Sequence, residues 1–277
     1  MKITFITFSQ TGNTRKVAQA MADTFSEEGH SIRMVTLKNA SPDDVRDCDL
    51  LGVGTPCFNS QAPTPVRDFL KALPEIKNRP CFVFATSGGA PGKVLYDITS
   101  ILQSKGANVV GGIIIRAECL HPVPCLYGRF PGRPNSDDLK QAKNFAKAVA
   151  DHVSQGHSEP LSESRPDTFK IKWGFYDFVA YILSDPFTRF SMPKPKLDPN
   201  LCTQCQLCAQ ECPTNNIFMA PYAVLGDKCI RCYRCLTICP EKAFKVKWFV
   251  SNIAVWSFYN TTFERLFGDV KRGEKIY

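Results

Sequence analysis

The sequence predicts an α/β chain in two parts: a doubly wound, five-stranded parallel sheet, followed by a small α+β module organised by cysteines. Three observations predict this. Strand-like apolar runs alternate with helical periodicity from the first residues to about residue 153. A polar, Pro/Ser-rich stretch over 154–167 then ends the alternation. Beyond it, two cysteine runs of identical spacing occupy 202–213 and 229–240. The 277 residues are enough for two separate cores.

Taken in order, residues 2–8 read as a buried parallel strand. The turn Ser9-Gln10-Thr11-Gly12-Asn13-Thr14 follows, and a helical pattern then runs to about Glu28, with Gly29 as its stop. A hydroxyl-rich turn between strand and helix suits a phosphate. Backbone N–H groups at the helix start point at the anion, and Ser and Thr add donors. The turn contains no Lys, which suits a monophosphate held by neutral groups; the plainer reading is a Ser/Thr helix cap. Strands follow at 31–37, 49–54, 81–86 and 108–116, with helices near 64–73, 92–105 and 137–153. In such sheets a ligand sits at the carboxyl ends of the strands, at the switch point. Two further strand ends carry suitable loops: Thr55-Pro56-Cys57-Phe58-Asn59 after the third strand and Thr86-Ser87-Gly88-Gly89 after the fourth.

With Ser9-x-Thr11-Gly12-Asn13-Thr14 and these two loops in place, about residues 1–153 resemble the flavodoxins, within a domain drawn over 1–155. The resemblance implies FMN, its phosphate on Ser9, Gln10, Thr11, Gly12, Asn13 and Thr14. The ring would lie between Thr55, Pro56, Cys57, Phe58, Asn59 and Thr86, Ser87, Gly88, Gly89. Two departures stand out. Phe58 is the one aromatic residue in the ring loops, and no glycine stands where the family turns a carbonyl toward the flavin. We expect an open ring and little stabilisation of its one-electron-reduced form. After the fifth strand, 118–135 is a long proline-rich excursion with His121, Tyr127, Arg129 and Phe130, read as a lid or docking surface over the flavin, the plainer reading being a surface loop in which His121 is merely hydrogen-bonded.

The cysteine runs read Cys202-x2-Cys205-x2-Cys208-x3-Cys212-Pro213 and Cys229-x2-Cys232-x2-Cys235-x3-Cys239-Pro240, an internal repeat with an offset of 27 (202 to 229). Three closely spaced thiolates wrap one iron–sulfur cubane, and the fourth, before proline, ligates the other. Paired zinc sites do not call for this spacing twice over, and structural disulfides would need an oxidising compartment. Cluster I is assigned to Cys202, Cys205, Cys208 and Cys239, and cluster II to Cys229, Cys232, Cys235 and Cys212. The stretch 198–247 resembles the bacterial-type two-cluster (4Fe–4S) ferredoxins. Residues 156–197 read as a linker with an aromatic docking segment (Phe169 to Phe190), and 248–277 as a docking tail; Trp173, Trp248 and Trp256 read as packing residues.

The net charge of +8 is spread thinly, without a basic block, which gives no case for nucleic acid. No run of apolar residues is long enough to span a bilayer. The start runs straight into a strand without a signal-peptide pattern, so the expectation is a cytoplasmic protein with thiols kept as ligands. As a whole the chain resembles the flavodoxin–ferredoxin fusion proteins of anaerobic bacteria and archaea. That resemblance implies electron relay between two 4Fe–4S clusters and FMN, with a ferredoxin-level redox protein as donor or acceptor. The alternative is a flavin-dependent reductase of a small molecule such as a quinone, a corrinoid or a free flavin. No side chain is singled out as a catalytic acid or base. Whether flavin and cluster meet within one chain or across a homodimer is left open.

Overall fold

The computed structural model describes residues 1–89, 91–165, 168–170 and 192–258. It divides into two compact units, Met1–Glu118 with Pro131–Tyr181, and Cys119–Phe130 with Ile182–Tyr277.

The first unit holds a five-stranded sheet in the order β2-β1-β3-β4-β5, formed by β1 (Lys2–Thr7), β2 (Ser31–Thr36), β3 (Leu50–Pro56), β4 (Pro80–Ser87) and β5 (Asn108–Arg116). Every pairing is parallel, so the predicted doubly wound sheet is present. Helices α1 (Asn13–Glu27) and α4 (Ser136–Ser154) pack against each other, as do α2 (Thr64–Ala72) and α3 (Val94–Ser104). Between β2 and β3 the chain makes two short 3-10 turns, Leu37–Asn39 and Pro42–Val45.

Aromatic packing and glycine fit together in the core. Phe5 is fully buried and meets Phe25, Phe82 and Phe84 edge-on, with ring centroids 5.4–6.2 Å apart. Across the sheet, Phe82 lies opposite Gly52 and Phe84 opposite Gly54. A Cβ at those glycines would stand 2.5 Å and 2.2 Å from the ring tips, so the absent side chains are what admit the rings.

The stretch expected to be linker begins by closing the sheet. Leu161 N–H donates to Val110 O (2.7 Å), Arg165 N–H to Gly112 O (3.1 Å), and Ser164 Oγ accepts from Gly112 N–H (2.9 Å). These bonds occupy polar groups along β5, the edge strand, which would otherwise invite a foreign strand. The aromatic segment expected over Phe169 to Phe190 lies, from residue 171 on, outside the described residues, as does the tail beyond residue 258.

In the second unit, two antiparallel pairs, β6 (Lys196–Leu197) with β9 (Phe244–Lys245) and β7 (Ile217–Met219) with β8 (Ala223–Leu225), frame two one-turn helices. These are α5 (Leu207–Gln210) and α6 (Arg234–Ile238). A further helix, α7, runs over Phe249–Phe258. The loop Cys119–Phe130 belongs to this unit although it is inserted between β5 and α4.

Candidate functional site: a phosphate cradle and a cysteine nest

In the first unit, the ends of β1, β3 and β4 carry the predicted ligand loops. Gly12 stands at the N-cap of α1 with φ 99°, a conformation that favours glycine, and a Cβ there would meet nothing. It supplies no capping side chain; Ser9 Oγ accepts instead from Arg15 N–H at 3.2 Å. The one lysine at this end of the helix, Lys16, turns away and donates to Pro134 O at 2.9 Å. An open helix start with neutral donors around it fits a phosphate monoester.

Hydrogen bonds tie the loops to one another. Thr14 and Thr86 share a buried hydroxyl–hydroxyl bond of 2.8 Å. Phe8 N–H donates to Gly54 O (2.9 Å), and Cys57 N–H to Thr86 O (2.9 Å). Asn13 Nδ2 donates to Glu118 O (3.0 Å). Thr55 and Pro56 close β3, and Thr86 and Ser87 close β4, so these four sit on strand ends. Thr55 Oγ1 donates to Pro56 O (3.0 Å), and Ser87 Oγ to Gly89 O (2.8 Å). Gln10 is buried and Gly88 half-buried beside them.

The loop after β3 is a tight turn. Phe58 and Gln61 exchange both backbone hydrogen bonds at 3.0 Å around Asn59 and Ser60, whose φ values are 48° and 64°. Two successive left-handed residues define a type I′ turn, built here without glycine. Lys93 N–H donates to Ser60 O (2.8 Å), and Asp97 Oδ2 accepts from Ala62 N–H (3.1 Å). Burial pushes the Asp97 carboxyl up, with Lys93 beside it opposing the shift. Phe58 itself lies edge-on to Phe8, centroids 6.0 Å apart. Burial also holds the Cys57 thiol up at about 12, which makes it an inert neutral group at ordinary pH.

In the second unit the cysteine repeat is also a backbone repeat. Left-handed non-glycine residues fall at Gln204, Gln206 and Asn215, and again at Arg231, Tyr233 and Lys242. Each pair is separated by the same 27 positions as the cysteines (204 to 231, 206 to 233, 215 to 242). Left-handed residues on both sides of Cys205 and Cys232 curl the chain so that successive N–H groups can face an anionic centre. The fourth cysteines match as well: Asn216 N–H donates to Cys212 Sγ and Ala243 N–H to Cys239 Sγ, both at 3.3 Å.

The structure brings Cys212 across to the second run. Cys212, Cys229, Cys232 and Cys235 line one cavity, with Pro195, Ile217, Leu225 and Tyr233. Burial raises the Cys232 thiol to about 12 and the Cys235 thiol further. Cys229 and Cys212 are among the neighbouring thiols that add to both shifts. In the first run, Cys202 and Cys205 act on Cys208 in the same sense. Cys239 packs at the edge of the small core that also touches Cys208 and Cys212. The two runs differ in cover: Cys205 is exposed, with exposed Leu201 and Leu207 near it in sequence, whereas Cys235 and Tyr233 are buried.

The cover of the second run includes residues that local patterns could not reveal. Tyr233 donates its hydroxyl to Pro193 O (2.8 Å) and packs edge-on against Trp248 and His121, centroids 4.9 and 5.1 Å away. His121 Nδ1 accepts from Val123 N–H (3.2 Å), and burial lowers its pKa to about 4, so the ring is neutral. The excursion expected over the flavin therefore places His121 against the cysteine-bearing unit. Of the tryptophans, Trp248 packs, Trp256 is exposed, and Trp173 lies outside the described residues.

Comparison with known proteins finds a family model for a stretch of each unit. Residues 4–109 match the model of a flavodoxin domain, and residues 194–240 that of a 4Fe-4S dicluster domain. The chain is similar to the uncharacterized protein MJ0298 of Methanocaldococcus jannaschii, 29% identical over 140 residues, covering 50% of this chain and 89% of that one. It is 36% identical over 66 residues to the uncharacterized protein MJ0749 of the same organism, covering 24% of this chain and 26% of that one. Among solved structures it is similar to a flavodoxin from the domain Archaea, with 18% identity, 56% of this chain and 99% of that chain covered, and a TM-score of 0.46. It is also similar to the rubredoxin oxygen:oxidoreductase of Desulfovibrio gigas, with 19% identity, 56% and 36% covered, and a TM-score of 0.44.

Proposed function

Because this chain is a flavodoxin–ferredoxin fusion, an electron-transfer flavoprotein with an iron–sulfur domain, we propose that it relays electrons between two 4Fe–4S clusters and FMN. Cys202, Cys205, Cys208 and Cys239 hold cluster I in this reading, and Cys229, Cys232, Cys235 and Cys212 hold cluster II. Ser9 to Thr14 hold the flavin phosphate; Thr55 to Asn59 and Thr86 to Gly89 flank the ring. The observation that supports the reading most is the crossed placement of Cys212 among the cysteines of the second run. When bound, such clusters pass one electron at a time and FMN accepts one or two, so the chain pairs or splits reducing equivalents.

The protein's own residues set the conditions. Asn216 and Ala243 N–H groups favour the more negative, reduced state at Cys212 and Cys239. Tyr233, Trp248 and His121 exclude water from the second run, while the exposed first run with Leu201 and Leu207 is the side open to a ferredoxin-level partner. No proton transfer by a side chain is required.

A second reading, reduction of a small acceptor such as a quinone, a corrinoid or a free flavin, is favoured by one feature. Phe58 is engaged edge-on with Phe8, and Phe58 is the only aromatic residue of the ring loops, so the flavin face stays open. Anaerobic steady-state assays separate the two. A pure carrier reduces small acceptors only through an added redox protein; direct turnover independent of any partner assigns the reductase.

A further inference from the structure

Helix α7, apolar over most of its circumference, turns large apolar side chains outward. At about 100° per residue, Phe249, Val250, Ile253, Ala254 and Trp256 fall within one arc of about 160°. All five are exposed: Phe249 at 78%, Val250 at 75%, Ile253 at 49% and Trp256 at 53%, with Ala254 also exposed. The opposite side carries Ser251, which is buried, half-buried Val255, and Asn252, whose Oδ1 accepts from Cys125 N–H at 2.9 Å, while half-buried Ser257 falls within the outward arc. An ordinary surface helix does the reverse. Side chains of this size gain about 1.5–3 kcal/mol each on leaving water, so a contiguous face of four marks a surface that is covered in use.

We propose that this face seats in the headgroup–acyl boundary of an anionic lipid bilayer and docks the cysteine-bearing unit on it. Three exposed lysines, Lys242, Lys245 and Lys247, immediately precede the helix. No acidic residue occurs from Lys242 to Phe263, and no charge of either sign from Trp248 to Phe263. A cationic rim beside an apolar, Trp- and Phe-bearing face is complementary to anionic headgroups above acyl chains. A second copy of the same face would set this rim against like charge, with no acidic group in the stretch to offset it. At about 1.5 Å per residue the described residues of the helix span about 15 Å, about half of a hydrocarbon core. No helix among the described residues is long and apolar enough to cross a membrane. The inference rests on α7 and its rim and does not depend on the relay.

The test is flotation of the full chain, purified without air and retaining its cofactors, with vesicles of phosphatidylcholine alone or mixed with phosphatidylglycerol. The chain is expected to float with the mixed vesicles and to be released by salt. Quenching of its tryptophan fluorescence by brominated acyl chains should accompany flotation. Ile253→Glu should weaken binding at least about tenfold, and Lys245→Glu with Lys247→Glu at least about thirtyfold on anionic vesicles. All three positions are exposed, and unchanged iron and flavin contents verify folding; Ile253→Gln serves as a milder replacement. Absence of flotation on both vesicle types overturns the proposal, as does flotation indifferent to Ile253→Glu. A vesicle-free dimer that Ile253→Glu dissolves assigns the face to a second copy, and Trp256 already shielded from an aqueous quencher without vesicles assigns it to another segment of the chain.

Discussion

The bond between Thr14 and Thr86 offers a sharp test of how the ligand loops are held. Both residues are almost fully buried, at 1% and 4% exposure, and their hydroxyls lie 2.8 Å apart. Thr14→Val keeps shape and volume but leaves the Thr86 hydroxyl buried without its partner, which costs about 1–3 kcal/mol. Thr86→Val does the same to Thr14. In the double variant neither orphan remains, so its cost should fall near zero and the coupling, the double loss minus both single losses, should reach about 2–6 kcal/mol in magnitude. For a unit of this size about 1 kcal/mol moves the thermal midpoint by about 2–4 °C. Each single variant should therefore melt about 2–12 °C lower by circular dichroism, and the double variant within about 2 °C of the parent. Each single variant should also bind FMN more weakly, because the bond joins the phosphate loop to the end of β4. A double variant whose loss equals the sum of the single losses would refute the reasoning.

Three further outcomes are expected. Gly54→Ala sets a Cβ 2.2 Å from the Phe84 ring tip in a closed core and should destabilise the first unit by about 1–3 kcal/mol, read as a lower thermal midpoint. Cys212→Ala should reduce iron, by chemical assay, from about eight to about four per chain while the flavin content stays unchanged. His121 has a folded pKa of about 4, below its ordinary value of 6.5. The unfolded chain therefore binds the extra proton first, and stability present above about pH 6.5 is lost as pH falls toward 4, by about 1–3 kcal/mol. His121→Phe should flatten that part of the stability–pH profile of the second unit without changing FMN affinity.

Local patterns made much of this molecule legible. The parallel strands could be read because buried strands are short apolar runs punctuated by helices. The cysteine repeat could be read because ligand spacing is a property of the chain alone, and its echo in the left-handed residues at 204/231, 206/233 and 215/242 follows from the same geometry. What escaped was long-range. Nothing local in Glu118 to Asn135 says that His121 will meet Tyr233 and Trp248, which lie more than a hundred residues later. The pairing of Leu161 and Arg165 with β5 uses backbone N–H groups, which leave no mark on composition, and the Ser164 hydroxyl that joins them is an ordinary residue of a polar stretch. The type I′ turn was hidden because Asn59 and Ser60 adopt a conformation for which Asn-Gly is the usual signal. The outward face of α7 was unreadable because aromatic residues at helical spacing ordinarily signal burial.

The measurement that bears most directly on the relay is rapid mixing, without air, of a reduced ferredoxin with the oxidised full chain, monitored at the cluster and flavin absorbances. Loss of cluster absorbance should come first, followed by flavin bleaching at a rate independent of protein concentration, and Cys232→Ala should abolish the second phase. Flavin bleaching that proceeds unchanged in Cys232→Ala, or clusters that reduce while the flavin stays oxidised, would contradict it.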